Sequence, residues 1–132
     1  MSSFIDFTSL KRRSSPNSYL VAPAAINGDA DQEVVIEAPA ASVFESLIDL
    51  ITSTKSWSLT ASDTDQKRIK FVSVSPLMRF KDDVDVAILE KSPSSCDVLI
   101  YSRSRVGYSD MGANRKRVKG LVQTLRQSEL AD

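Results

Sequence analysis

The chain reads as an α+β protein, a two-layer sandwich of two helices on one face of an antiparallel sheet, in the order β-α-β-β-β-β-α. Three observations predict this. Apolar residues recur with period two through most of residues 33–103, with one excursion to the helical period over 42–51 and a second beyond about residue 110. The segments that alternate are joined by short connections, which favour antiparallel neighbours. The two helix-patterned segments bracket the main run of strands, so their apolar stripes must find cover on a sheet face.

Residues 1–17 mix small polar residues with Phe4, Ile5, Phe7 and Leu10 and include the basic run Lys11-Arg12-Arg13. They are expected as a flexible N-terminal tail, ahead of a single domain over 18–128 and a short C-terminal tail at 129–132. Ser15-Pro16-Asn17 is a turn signal. Residues 18–23 have the pattern of a short edge strand closed by Pro23, and Asn27-Gly28-Asp29 marks a loop. A strand follows over 33–38. Pro39 stands where helices begin, since its missing N–H would find no partner there anyway. Val43, Phe44, Leu47, Ile48 and Ile51 then form one stripe of a helix that ends near Thr52 or Ser53. Further strands are expected over 57–61, 67–74 and 82–89, with a polar turn at 62–65 and Leu77-Met78-Arg79-Phe80 leading into the last of these. After the turn Ser92-Pro93-Ser94-Ser95, residues 96–103 put Cys96, Val98 and Ile100 on one face and Asp97, Leu99, Tyr101 and Arg103 on the other. The final helix runs from Ser109 or Asp110 to Gln127, burying Val118, Leu121, Val122 and Leu125. The proline-led helix entry resembles the start of helix-grip lipid-binding domains. A sheet flanked in this way either closes around its last helix as those domains do or stays open like the saddle of a TATA-binding repeat.

Composition bounds function mainly by what it leaves out. With 132 residues and a hydrophobic fraction of 42%, the chain can bury a core without disulfides or a metal. The 17 Lys and Arg balance the 17 Asp and Glu, so no global field draws in nucleic acid or an anionic membrane. The charge is nonetheless uneven: residues 29–49 hold six acids and no base, residues 101–132 seven bases and three acids. Histidine is absent, which excludes Ser-His-Asp and Cys-His catalysis and every His-ligated metal site. The single cysteine, Cys96, excludes an internal disulfide and reads as a small buried hydrophobe. No apolar run approaches the ~18 residues of a transmembrane helix, and no signal-like segment opens the chain. The expectation is a chain of the cytoplasm, or of an organellar lumen or stroma once a transit peptide is removed. Nothing has the spacing of a P-loop, a dinucleotide fingerprint or a metal cluster, so no cofactor and no enzymatic activity are expected.

Residues 102–118 stand apart from this scaffold. They read S-x-S-R-x-G-x-S-D-hydrophobic-G-x-N-x-x-R-hydrophobic, met by Ser102, Ser104, Arg105, Gly107, Ser109, Asp110, Met111, Gly112, Asn114, Arg117 and Val118. This pattern closely resembles the signature of the domain of unknown function 1499 family. Ser15-Pro16-Asn17 and the Arg79-Phe80-x-Asp82-Asp83-Val84 segment are similar too, so the resemblance spans about residues 15–125. It implies a fold and a site, and no established chemistry. Two positions depart from it: Ser18 stands where many members carry Cys, and Tyr101 where many carry Arg.

Physically, the motif is a strand-to-helix turn. Gly107 supplies a positive φ, Ser109 or Asp110 caps the first helical turn, and Gly112 lets that turn approach another backbone. Arg103 and Arg105 leave one side of an extended strand toward the acidic segment with Asp82, Asp83 and Asp85. Asn114 and Arg117 share a helix face and tie back to the strand end. The same atoms suit a second role, in which the helix N-terminus, Arg105, Arg117, Ser102 and Ser104 cradle a carboxylate or phosphate. Asp110 at the positive end of the helix favours the structural clasp. The function read from this is a non-catalytic binding or accessory protein taking a small anionic or amphipathic ligand. The alternative is a protein-interaction or assembly subunit of a larger complex, membrane-associated complexes included. A cavity of a few hundred Å³ beside Arg105 would favour the first; a filled core with an exposed basic or apolar patch would favour the second.

Overall fold

Period-two alternation becomes a six-stranded antiparallel sheet with two helices laid across one face in the computed structural model, which describes residues 4–12, 16–107 and 110–131. Among these residues the order is β1 (Ser18–Val21), β2 (Val35–Ile36), α1 (Ala40–Ser53), β3 (Trp57–Asp63), β4 (Arg68–Val74), β5 (Lys81–Ser92), β6 (Ser95–Ser104) and α2 (Ala113–Ala131). The strands lie β1-β6-β5-β4-β3, with β2 also on β6. The α+β class holds, and the short edge strand read at 18–23 joins the β-α-β-β-β-β-α series as β1. β1 pairs with β6 from Ile100 to Arg103, and β2 pairs with Cys96 and Asp97 on the same edge, where Val98 N–H also donates to the Val34 carbonyl at 3.0 Å. The strand expected over 33–38 is shorter, Val35–Ile36.

Alternation assigns each strand residue to a face. Ile69, Phe71, Val84, Val86, Ile88, Cys96, Val98 and Ile100 point to the helix side, where they form one buried cluster with Val43, Phe44, Leu47 and Ile51 of α1 and Val118, Leu121, Val122 and Leu125 of α2. α1 lies over β3 and β5, and α2 over β6, β1 and β2. Each such side chain contributes about 1.5–3 kcal/mol when removed from water.

The opposite face is covered by the segment expected as a flexible tail. Phe7 is 4% exposed and packs with Leu20, Ala22, Ala87, Leu99 and Tyr101. The physical reason lies in the sheet itself: Leu99 and Tyr101 point away from the helices and need a cover. Arg68 donates to the Ile5 carbonyl and lies over the rings of Phe4 and Phe7, at 5.5 and 5.7 Å. Asn27 Nδ2 donates to the carbonyls of Phe7 and Leu10, at 3.0 and 2.9 Å. Arg12 pairs with Asp31 at 2.6 Å, while Arg13 and Ser15 lie outside the described residues.

Both helices differ slightly from expectation at their ends. Pro39 is the residue before α1, with extended backbone (φ −60°, ψ 143°), rather than its first helical residue. α2 begins at Ala113 because Met111 and Gly112 are left-handed, at φ 55° and 82°. It runs on to Ala131, through most of the segment expected as a C-terminal tail, since no Gly or Pro follows Gly120 to stop it. Among the described residues no helix is long and apolar enough to cross a membrane.

Candidate functional site

β6 carries Ser102 and Ser104 to the helix side of the sheet, and the first turns of α2 bring Asn114 and Arg117 down onto them. Asn114 is fully buried and acts as the hub. Its Oδ1 accepts from Ser102 Oγ at 2.5 Å and from Arg117 Nη1 at 2.8 Å. Its Nδ2 faces three acceptors: Asp110 Oδ2 at 2.6 Å, Ser104 Oγ at 3.0 Å and the Asn17 carbonyl at 3.0 Å. Arg117 also donates to Ser102 Oγ at 3.0 Å and pairs with Asp82 at 2.9 Å. Buried polar groups are tolerable only when satisfied, and here each named group supplies the partner of another.

Asp110 closes the start of the helix. Its carboxylate accepts the N–H of Gly112 at 2.9 Å and of Asn114 at 3.0 Å, and the left-handed turn at Met111 and Gly112 wraps the chain around it. Burial works to raise this carboxyl, but the bonds from the Asn114 side chain and from these two backbone N–H groups hold it below the usual range. The positive end of α2 therefore already has its anion. Gly112 was expected to permit a close backbone approach. Instead a Cβ there would meet nothing within 4 Å, and the glycine serves the left-handed turn, as Gly107 does at φ 90°. Ser109, the other expected cap, lies outside the described residues.

Arg103 and Arg105 leave β6 on the opposite face. Each takes a carboxylate diagonally across on β5: Arg103 reaches Asp85 at 2.6 Å, and Arg105 grips Asp83 through Nε and Nη2, both at 2.9 Å. Lys70 of β4 adds a second cation to Asp85 at 3.2 Å, and the Tyr101 ring lies 4.9 Å from the Arg103 guanidinium. The hydrogen bond from Arg105 draws the Asp83 carboxyl down, against the effect of its partial burial.

The expected anion cradle of Arg105, Arg117, Ser102 and Ser104 is thus divided by the sheet. Arg117 and both serines lie under α2, while Arg105 pairs on the far side. Asp82 and Asp83, expected as ion-pair partners, are likewise split between Arg117 and Arg105. Asn17 completes the site and was missed: its Nδ2 donates to the Gly107 carbonyl at 2.7 Å, and its own carbonyl accepts from Ser104 N–H at 3.0 Å. The Ser15-Pro16-Asn17 block was the available signal. Among the described residues no group of three or more carboxylates or thiols is placed to hold a metal. Where β2, α1 and α2 meet, the open volume is about 20 Å³, room for about one water. Wider clefts lie at the surface: 510 Å³ beside Arg12, Tyr19, Asp110 and Arg115, 500 Å³ beside Lys55, Ser75 and Arg79, and 360 Å³ between α1 and β3 beside Phe44, Ile48 and Leu59. Arg105 lines none of the three.

Comparison with solved structures identifies the fold type. The crystal structure of Ara h 8.0201 aligns with a TM-score of 0.61 at 9% identity, covering 87% of this chain and 98% of that one. The di-domain ARO/CYC StfQ from the steffimycin biosynthetic pathway aligns at 0.58 with 11% identity, over 74% of this chain and 43% of its own. The di-domain ARO/CYC BexL from the BE-7585A biosynthetic pathway aligns at 0.54 with 11% identity, over 72% of this chain and 44% of its own. The chain therefore spans less than half the length of these two proteins. These likenesses place the sheet and its helices among helix-grip folds. No curated protein sequence matches the chain. A family match covers residues 6–125, from the segment over the outer face to the last buried turn of α2, and the chain belongs to the family described as protein of unknown function (DUF1499).

Proposed function

We propose that the chain is a non-catalytic accessory module that recognises its partner through its exterior, with residues 102–118 serving as a structural clasp. The observation that supports this is that the polar groups of the clasp are already paired with one another. Arg105 holds Asp83, Arg117 holds Asp82 and the buried amide, and the layer between sheet and helices is occupied by Phe71, Leu47, Ile51, Leu121 and their neighbours. An incoming anion would have to displace a bidentate carboxylate from Arg105 or a buried one from Arg117. Native mass spectrometry of the purified protein tests the reading. The expected spectrum shows the mass of the chain or its multiples alone; a retained small molecule would overturn it.

A second reading rests on the 510 Å³ cleft beside the start of α2, where Arg115 is exposed and makes no ion pair among the described residues. There the chain would take a small anionic or amphipathic ligand at its surface. A bound mass that Arg115→Ala removes would replace the first reading with this one.

A further inference from the structure

The connection between β4 and β5 has features that packing does not use. Ser75 N–H donates to the Phe80 carbonyl at 2.9 Å, Arg79 N–H to the Ser75 carbonyl at 3.1 Å, and Phe80 N–H to Ser75 Oγ at 2.9 Å. Arg79 takes a left-handed φ of 59° to close the loop. These bonds fix the tip while Leu77, Met78 and Phe80 are 92, 68 and 52% exposed. Exposed Val106 lies at the same end of the sheet, brought there by the bond from Arg105 N–H to the Lys81 carbonyl at 3.2 Å. A single exposed leucine is ordinary, but large apolar side chains gathered on one tip mark an interaction site.

The charges at this end have one sign once the pairs are counted. Asp82 and Asp83 are neutralised by Arg117 and Arg105, and Asp110 is occupied at the start of α2. Lys55 and Arg79 line the cleft beside the loop and Lys81 follows it, and none of the three forms an ion pair among the described residues.

We propose that this tip docks on an anionic lipid surface, with Leu77, Met78 and Phe80 entering the boundary between headgroups and acyl chains and Lys55, Arg79 and Lys81 facing the lipid anions. The proposal rests on the exterior-binding reading and names its surface. Shape favours lipid over protein. The apolar side chains project from the tip of a loop whose residues 76–81 are all exposed, and do not line a groove that would receive a peptide or helix. A protein partner would need a hollow matched to that tip, whereas a bilayer interface admits it without one. The chain's zero net charge does not oppose docking, because charges beyond a Debye length of about 8–10 Å are screened.

Co-sedimentation of the full chain with vesicles is the test. One set is phosphatidylcholine alone, and the other carries phosphatidylserine at roughly a third of the lipid. The chain is expected to pellet with the anionic vesicles only, and less as salt rises. Leu77→Ser with Phe80→Ser removes the binding, and Arg79→Ala with Lys81→Ala weakens it about fivefold per cation. These side chains are exposed, so the variants keep the unfolding midpoint of the unaltered chain. Failure of the unaltered chain to bind either vesicle overturns the proposal, as does binding that the loop variants leave intact. A dimer in lipid-free sedimentation velocity that Leu77→Ser with Phe80→Ser dissolves would make a second copy the occupant, and would overturn it too. The native spectrum separates the two levels. A bare mass without vesicle binding removes lipid docking alone, whereas a retained ligand removes the exterior-binding reading beneath it.

Discussion

Asn114 shows how one amide joins segments distant in sequence. Through it β6, the start of α2, the Asp110 turn and the chain at Asn17 share a single buried set of hydrogen bonds. Asn114→Asp keeps the shape but removes the donor and sets a second carboxylate against Asp110. The expected cost is about 3 kcal/mol, since buried partners lose their bonds and like charges meet. In a thermal melt this is a fall in Tm of roughly 10 °C. Arg105→Ala is the control. Its guanidinium is 46% exposed, and solvent screening leaves even a bidentate surface pair with little effect on the midpoint. Equal losses for the two variants would show that the outer ion pair matters to the strand-to-helix junction as much as the buried amide does.

Two glycines, one just before α2 and one within it, stand in contrast. Gly112 precedes it at φ 82°, and Gly120 sits on its exposed side; a Cβ would meet nothing within 4 Å at either. Free space therefore cannot distinguish them, and backbone conformation decides. Gly120→Ala removes unfolded-state entropy and is expected to stabilise by about 0.5–1 kcal/mol. Gly112→Ala forces a side chain into the left-handed region and loosens the turn around Asp110, a loss of about 1–2 kcal/mol. Urea midpoints at constant m-value read both changes. A neutral Gly112→Ala would mean that the turn relaxes without cost and that the Asp110 cap does not depend on it.

At the scale of the molecule, the sequence was most informative where periodicity met burial. Alternation over 96–103 separated Cys96, Val98 and Ile100 from Leu99 and Tyr101, and the two faces hold them in just those groups. The same alternation separates Arg105 from Ser102 and Ser104, and so from the Arg117 that bonds Ser102, a consequence that a contiguous motif conceals. The role of Phe7 was not legible, because its contacts with Leu99 and Tyr101 span most of the chain and leave no periodic trace. Nor was the tip at Leu77 and Phe80, since an apolar residue in a loop looks locally like one approaching a strand. The filled interior is likewise a property of the whole, and Phe71 tests it. Phe71 is fully buried, with its ring centroid 4.8 Å from that of Trp57, the chain's one tryptophan, whose fluorescence reports on this region. Phe71→Ala is expected to cost about 4 kcal/mol and leave an apolar void. Such a void stays dry and accepts a molecule such as benzene, which restores part of the stability by mass action. Urea melts followed at Trp57 should therefore show a benzene-dependent gain for Phe71→Ala and none for the unaltered chain. A gain in the unaltered chain would reveal space already open between sheet and helices, and the exterior-binding reading would lose the observation that supports it.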